Sequence, residues 1–311
     1  MKRKILAMMM AATMAIGMMG CQAASIDGEG TGKEAAQEGD GSIGLAISTL
    51  NNPFFVSLSE GASAAADEAG VSLITVDARD DVAKQTSDVE DLISKNVSVL
   101  IINPVDSDAI APAIKDAVEK GIKVISVDRI VNGVDVDCQI ASDNVEGAKM
   151  ATEYLLEMVG KDAKVAEIQG VPGASATIDR GEGFHKVADE SFDVVSSQTA
   201  NFNRAEGLTV MENILQSASD LQGVFAHNDE MALGALEAVS SAGKDIKIVG
   251  FDATDDAIAA VKEGKMAATV AQQPESMGET AVKTAVKLIN DEEVEKNIPV
   301  EVTLITKDTA E

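Results

Sequence analysis

Carboxylates, arginines, amides and phenylalanines gather in this sequence at a few points where short apolar runs end. Asp128 and Arg129 stand side by side after one such run, and Arg180 lies in the segment 178–184, where we expect the start or first turn of a helix. A hydroxyl group both donates and accepts hydrogen bonds, so a carboxylate beside a guanidinium or an amide satisfies it. A phosphate pocket would lack the carboxylates. These residue types therefore predict a site for a hydroxyl-rich ligand such as a sugar.

The stretch STLNNPFFVSL, residues 48–58, supplies aromatic rings to such a site. It carries two adjacent phenylalanines in a chain that is 3% aromatic and has no tryptophan. The C–H faces of a sugar ring are apolar and pack against aromatic faces. Core packing is the usual role of phenylalanine, but two adjacent rings should not both point into one helix face. We therefore expect Phe54 and Phe55 to contact a ligand, with Phe202 as a third ring.

Polar residues end nearly every predicted strand. In doubly wound sheets, ligands bind outside the carboxyl ends of the strands, where loops and helix N-termini meet. Each residue taken singly has another explanation, because Asn and Asp are common helix caps and turn formers. Taken together, the same chemistry at the same edge of two sheets favours a binding site. The residues are Ser48, Asp77, Asn103, Asp128, Gln169, Asn228 and Asp252.

Beyond residue 42 the chain alternates short apolar runs with helical segments. The strand-like runs include 42–47, 71–77, 97–103, 122–128, 163–169, 221–227 and 246–252. The helical segments include 53–69, 107–120, 144–159, 204–216, 229–242 and 274–290. Near-continuous apolar strands between helices are typical of parallel sheets covered on both faces, so the fold class is α/β. A dozen strands favour two doubly wound domains over one sheet, with the division near residues 142–144.

The N-terminus has the pattern of an export signal. A basic MKRK precedes the apolar run 5–19, and Gly20-Cys21 resembles the lipobox of bacterial lipoproteins. This predicts a lipoprotein signal peptide over 1–20, acylation of Cys21, and a flexible acidic tether over 21–41. The alternative is an ordinary signal peptide with an incidental cysteine.

Charge and cysteine content exclude several classes of partner. The chain has 52 acidic against 25 basic residues, a net charge of −27 that repels nucleic acid and anionic lipid headgroups. Cys138 would be the one thiol left after processing, without a partner for an internal disulfide, and its apolar surroundings predict a small buried hydrophobe. Two histidines and one thiol cannot build a conventional zinc site, and we expect no cofactor.

Longer motifs carry a resemblance to a known family. The chain resembles the ribose-binding members of the periplasmic sugar-binding proteins that serve bacterial ABC importers. The resemblance covers residues 42 to about 307. The motifs are STLNNPFFVSL, LIINPVDSDA, SVDR, IASDN, RGEGF, FAHNDEMALGAL, IVGFD and AATVAQQP.

The resemblance implies two lobes, 42–142 plus 273–301 and 143–272 plus 302–311, which close over D-ribose and present it to a membrane permease. Hinge crossings are implied at Ser142, Asp143, Gln272, Gln273, Glu301 and Val302. It also implies a monomer. The lipobox-like sequence departs from the freely diffusing members of the family and predicts a lipid anchor on the outer face of the cell membrane, or on a periplasm-facing membrane in a Gram-negative host. The implied ribose contacts are Ser48, Asn52, Phe54, Phe55, Asn103, Asp128, Arg129, Arg180, Phe202, Asn228, Asp252 and Gln272. His227 stands where glutamine is usual; we expect it and His185 not to touch the ligand.

Three other readings compete with this one. Asp252 with Asp255 and Asp256 offers the paired carboxylates of a glycosidase, but no nucleophile elbow, P-loop or metal motif accompanies them. A transcriptional regulator with the same sensor fold would carry a helix-turn-helix where this chain has its export signal. A different ligand remains open: another pentose, a furanose signal such as autoinducer-2, or sugar sensing for a chemotaxis receptor.

Overall fold

The computed structural model describes residues 41–310 as two six-stranded sheets with helices on both faces of each. The predicted fold class, two doubly wound α/β units, is confirmed. The predicted signal peptide, Cys21 and nearly all of the predicted tether lie outside the described residues. Between residues 41 and 310 no helix is both long and apolar enough to cross a bilayer.

The first sheet has the order β11-β5-β4-β3-β1-β2, and all of its strands run parallel. We call this sheet and the helices packed on it the N-lobe. Its strands are β1 Ile43–Ile47, β2 Leu73–Asp77, β3 Val99–Ile102, β4 Lys123–Val127, β5 Cys138–Ser142 and β11 Asn297–Val300. Its helices are α1 Pro53–Ala69, α2 Val82–Ser94, α3 Ala111–Glu119 and α9 Pro274–Ile289.

The second sheet has the order β12-β10-β9-β8-β6-β7, and β12 is antiparallel to β10 while the other pairs are parallel. This sheet and its helices form the C-lobe. Its strands are β6 Ala163–Gln169, β7 Phe192–Thr199, β8 Gly223–Ala226, β9 Lys247–Val249, β10 Ala268–Ala271 and β12 Thr303–Thr306. Its helices are α4 Asn144–Val159, α5 Ser175–Ser191, α6 Arg204–Ser217, α7 Asp229–Ser241 and α8 Asp255–Lys262.

The chain passes from one sheet to the other at three places. It leaves the first sheet after β5 at Ser142, returns after β10 through Gln272 and Gln273, and leaves again between β11 and β12. Residues Glu301 and Val302 form that last connection. Whether these residues act as hinges stays a prediction.

Helix α5 begins earlier than the sequence pattern indicates. Its N-cap residue is Ala174, which has no side chain to cap the helix, so the usual Ser, Asp or Asn start signal is missing. Because the helix begins at Ser175, Arg180 lies in its second turn, and the expectation of the start or first turn is wrong. Helices α2 and α8 and strand β7 were also not anticipated.

The two adjacent phenylalanines do share one buried surface, contrary to our expectation. Phe54 and Phe55 are both buried in the N-lobe core, with ring centroids 5.2 Å apart in an edge-to-face pair. Edge-to-face packing lets neighbouring rings at the first turn of a helix occupy one apolar cluster. Cys138 is buried in the same core as a free thiol, as predicted.

Helices α1 and α9 pack with their backbones in close contact because glycines stand at the crossing. A Cβ on Gly278 would overlap the carbonyl oxygen of Leu58, and one on Gly61 would overlap that of Glu275. The N-lobe core therefore depends on the absence of side chains at these two positions.

Gly278→Ala should lower the free energy of unfolding by about 1–3 kcal/mol, because α9 must move away from α1 to admit the methyl group. Urea denaturation measures this. Gly181→Ala is the matched control: its Cβ would lie 3.6 Å from the nearest atom, Glu167 Oε1, so helix propensity should leave stability unchanged or slightly raised. Equal effects of the two substitutions would contradict the packing argument.

Candidate functional site

A small cavity lies between the carboxyl ends of the two sheets. It has about 240 Å³ of empty space, and both lobes contribute to its wall. Ten of the twelve predicted contact residues line it, with Ala176 as an unpredicted eleventh. Those ten are Asn52, Phe54, Phe55, Asp128, Arg129, Arg180, Phe202, Asn228, Asp252 and Gln272.

Three of these wall residues hold a strained backbone. Asp128, Phe202 and Asp252 have φ values of 63°, 57° and 120°, in the region that favours glycine. Such conformations cost on the order of 1–3 kcal/mol each, and they persist where the surrounding structure fixes them. Three residues of one small cavity therefore share this kind of backbone strain.

Ser48 and Asn103 do not line the cavity but lie behind Asp128. Asn103 accepts a hydrogen bond from the Ser48 backbone N–H at 3.2 Å and donates from Nδ2 to Asp128 Oδ2 at 3.1 Å. The amide therefore fixes one oxygen of the carboxylate. The other oxygen, Asp128 Oδ1, is buried and has no hydrogen-bond partner in the described part of the chain.

The Arg129 guanidinium lies between two phenylalanine rings, one from each lobe. Its central carbon is 5.1 Å from the Phe55 centroid and 5.2 Å from the Phe202 centroid. Nη1 donates to the carbonyl oxygen of Pro104 at 2.8 Å, whereas Nε is buried and unpaired among residues 41–310. The rings that we expected to enclose a sugar thus also hold the cation beside it.

Arg180 is the corresponding cation of the C-lobe. Its Nε donates to Asn144 Oδ1 at 2.8 Å, and its Nη1 donates to the carbonyl oxygen of His227 at 2.6 Å. The guanidinium carbon lies 3.8 Å from the Phe251 ring centroid. The sequence interpretation missed Asn144, and no local signal distinguishes it from a residue at a helix start.

Asp252 completes this half of the site. Its Oδ1 is 3.6 Å from Arg180 Nη1 and accepts a hydrogen bond from Gln272 Nε2 at 2.8 Å. Gln272 Oε1 is a further buried atom that has no partner in the described chain. Gln272 lies on the second crossing between the lobes, so its side chain connects the site to a predicted hinge.

The two asparagines of the cavity wall have their side-chain oxygens engaged. Asn52 Oδ1 accepts from the Phe54 N–H at 3.0 Å, and Asn228 Oδ1 accepts from the Met231 N–H at 3.0 Å. Both side chains thereby cap helices, which is the other role that Asn and Asp at strand ends commonly have. Each can still donate to a ligand through Nδ2, so capping and binding are compatible roles.

Burial raises the pKa of Asp128 and raises that of Asp252 well above its ordinary value, although nearby guanidiniums lower both. The guanidiniums of Arg129 in one lobe and Arg180 in the other oppose that rise by favouring the charged form of each carboxyl. Two guanidiniums thus face two carboxyl groups around the cavity. A neutral ligand leaves this balance undisturbed, whereas a charged one would not.

His227 lies behind the wall. Its Nε2 is 2.9 Å from Glu167 Oε1, and both side chains are fully buried. Burial lowers the pKa of His227; burial alone would raise the pKa of Glu167, but the bond from His227 lowers it. A neutral imidazole that donates to an ionised carboxylate accounts for both directions. As predicted, neither His227 nor His185 lines the cavity.

Two larger cavities flank the small one, each with about 720 Å³ of empty space. Arg204 and Glu230 border both, and Arg204 Nη2 lies 2.6 Å from Glu230 Oε1 and 2.9 Å from Asp256 Oδ2. The small cavity is the better candidate site because three unpaired buried atoms belong to its wall residues. Asp255 and Asp256 begin α8, which assigns the suspected glycosidase carboxylates to a helix start.

Within residues 41–310, no group of three or more His, Cys, Asp or Glu side chains is arranged to hold a metal ion.

Comparison with known proteins gives consistent matches over both lobes. A family model described as a periplasmic binding protein domain matches residues 43–293. The chain is 52% identical over 265 residues to the ribose import binding protein of Bacillus subtilis (strain 168), covering 85% of this chain and 87% of that protein. It is 48% identical over 267 residues to the ribose import binding protein of Escherichia coli (strain K12), covering 85% and 90%.

Solved structures extend the likeness to the fold. The Caulobacter myo-inositol binding protein bound to myo-inositol superimposes with a TM-score of 0.83 at 35% identity, covering 90% of this chain and 96% of that one. The arrangement of two lobes around an interlobe cavity is therefore shared with a structure that holds a cyclic polyol.

One buried carboxyl beside the site should make stability depend on pH. Asp229 accepts hydrogen bonds from Thr254 N–H at 2.8 Å and from Thr269 Oγ1 at 2.7 Å. Burial raises the pKa of Asp229 to about 7, although these hydrogen bonds lower it. The unfolded carboxyl titrates near 3.9, so the folded state binds the proton more tightly. The stabilising contribution is full below about pH 3.9 and is lost as the pH rises through about 7.

Asp229→Asn should therefore be more stable than the parent protein at pH 8 and should lose less stability between pH 5 and pH 8. The amide can keep the bond from Thr254 and donate to Thr269 instead. Urea denaturation at both pH values measures the difference, with the exposed Asp245→Asn as control. Identical pH slopes for Asp229→Asn and the parent would refute the assignment.

Proposed function

The chain belongs to the periplasmic binding protein family, and from this we propose that it captures D-ribose between its lobes as the sugar-binding component of an ABC importer. One observation carries the proposal: three buried atoms around one small cavity have no partner in the described chain. Asp128 Oδ1 and Gln272 Oε1 are acceptors, and Arg129 Nε is a donor. Sugar hydroxyls supply both the donors and the acceptors that these atoms need.

Ring placement and the sequence relatives favour a pentose. Phe54, Phe55 and Phe202 line the cavity, and we propose that a bulkier hexose would need the space that these rings occupy. Two relatives with 52% and 48% sequence identity to this chain are named for ribose import, which supports the same ligand here. Another pentose or a furanose signal would use the same polar atoms, so titration must decide between them.

Each lobe supplies half of the proposed site. The N-lobe contributes Asn52, Asp128, Arg129 and two phenylalanines; the C-lobe contributes Arg180, Phe202, Asn228 and Asp252. An open form would leave each set to water, and closure would bring both onto one solute. We propose that the lobes move as units about the three crossings. Ser48 and Asn103 act through Asp128, whose carboxylate they orient.

The proposal also covers partners and location. Extracytoplasmic binding proteins of this family hand sugar to a membrane permease, and we propose no catalytic step, no cofactor and a monomeric working form. Docking on a chemotaxis receptor stays a prediction from the resemblance. We propose that Cys21 is acylated and tethers the protein to the membrane, on the strength of the lipobox-like sequence alone.

Asp128→Asn tests the sugar site, and asparagine tolerates the positive φ at this position. Loss of a charge-assisted hydrogen bond of about 1.5–3 kcal/mol should weaken D-ribose binding about 10- to 150-fold. Isothermal titration calorimetry measures the affinity, with D-glucose expected to bind far more weakly than D-ribose.

Asp116→Asn, on an exposed helix face, is the matched control and should bind as the parent does. Unchanged ribose affinity in Asp128→Asn would remove this carboxylate from the site. Heat with another sugar but none with D-ribose would move the proposal to that sugar while keeping the cavity.

Cys21→Ser tests the anchor separately. The parent protein should partition into the detergent phase of Triton X-114, and Cys21→Ser should move to the aqueous phase because it cannot be acylated. Cys138→Ser, at a buried thiol, is the control and should stay in the detergent phase. Aqueous partitioning of the parent protein would exclude lipid anchoring.

A further inference from the structure

Beside the cavity, three hydrogen bonds join the lobes without passing through the proposed ligand. The Ser107 N–H donates to the Gly173 carbonyl oxygen at 2.9 Å, and the Ser175 N–H donates to Ser107 Oγ at 3.2 Å. The Ile130 N–H donates to Ser175 Oγ at 3.1 Å. Ser107 and Ile130 belong to the N-lobe, Gly173 and Ser175 to the C-lobe. We call these four residues the serine clasp.

One of these bonds completes a helix. Helix α5 begins at Ser175, and its N-cap residue Ala174 provides no side-chain acceptor. The first N–H groups of a helix have no partner within it and need an acceptor from elsewhere. Ser107 Oγ, from the opposite lobe, is the acceptor for the first of them. Helix α5 is thus capped across the cleft.

The two lobes approach each other closely at this point. A Cβ on Gly173 would overlap the Asp106 carboxylate, so a larger residue there would have to push that side chain or its loop aside. Asp106 Oδ1 in turn accepts from the N–H groups of Asp108 and Ala109 at 2.9 and 2.8 Å, which fixes the loop that carries Ser107. Ser107 is fully buried and Ser175 is 4% exposed, so water does not compete for the bonds.

We propose that the serine clasp stabilises the closed arrangement of the lobes independently of the ligand's own contacts, and thereby sets how long the sugar stays bound. None of the four clasp residues lines the cavity. Because Arg180 is on α5, capping this helix also fixes the position of the C-lobe cation. Ser107 and Ser175 are positioning residues. The inference rests on the proposed function, since it concerns the release of the same sugar.

The bonds form only when the lobes have met, so they slow reopening and leave the first encounter with sugar unaffected. Ser107→Ala should raise the dissociation rate of D-ribose about 2- to 30-fold, the range expected for loss of a helix cap. The association rate should stay within about twofold of that of the parent, and Kd should rise by the same factor as the dissociation rate. Ser175→Ala should act in the same direction.

Stopped-flow mixing and calorimetry measure the rates and Kd, with Ser94→Ala, at an exposed serine on α2, as the control. In the ribose complex, amide exchange should be faster at Ser175 in Ser107→Ala and at Ile130 in Ser175→Ala. Gly173→Ala should produce a larger rise in Kd, because its methyl group prevents the approach. Circular dichroism melting checks that each variant is folded.

Different experimental results would contradict the serine clasp and the proposed sugar site. If the parent binds D-ribose and Ser107→Ala releases it at the parental rate, the clasp is wrong and the proposed function stands. If Ser107→Ala slows association and leaves dissociation unchanged, the clasp is equally wrong. If the parent protein binds no pentose, the proposed function fails. In that case amide exchange still tests the clasp, because equal exchange rates at Ser175 in the parent and in Ser107→Ala would overturn it.

Discussion

The site depends on balancing two buried guanidiniums against two buried carboxyl groups at a surface that, in the proposed function, must also open. Each lobe carries its own pair: Asp128 Oδ2 lies 3.7 Å from Arg129 Nε, and Asp252 Oδ1 lies 3.6 Å from Arg180 Nη1. Because each half is close to neutral by itself, neither lobe exposes an uncompensated charge when the cleft is open. Removal of one member would leave its partner buried without compensation, at a cost of several kcal/mol. The rest of the architecture holds these two pairs face to face.

Much of this site could be predicted because its residues follow from local rules. Parallel strands end at one edge, so Asp128, Asn228 and Asp252 were expected to converge, and the bounds of α1 and α4 followed from their caps and apolar periodicity. The remainder depends on contacts distant in the sequence. No local pattern places Asn103 behind Asp128, makes Ala176 part of the wall, or brings Ser107 to Ser175. Helix α5 was misplaced because its cap comes from the other lobe.

The strained residues explain why the site should limit stability. Asp128, Phe202 and Asp252 occupy conformations that cost free energy, and Asp128, Arg129 and Gln272 carry buried polar atoms without a partner in the described chain. A ligand that forms hydrogen bonds with those atoms removes the cost of leaving them unpaired and therefore binds more tightly. Substitutions that relieve the backbone strain should favour the folded protein at the expense of binding.

Specificity and lifetime are set by different parts of the cleft. The cavity atoms discriminate between sugars, because a ligand that lacks a hydroxyl leaves a buried donor or acceptor unpaired. The serine clasp is indifferent to the sugar and adds a fixed contribution to closure. In the proposed function the sugar must also be released, and contacts made of a few serine and backbone groups are weak enough for the lobes to separate again. Much stronger contacts between the closed lobes would raise the affinity for sugar but would also slow its release. Weak closure contacts beside a sugar-selective cavity therefore suit delivery better than either feature alone.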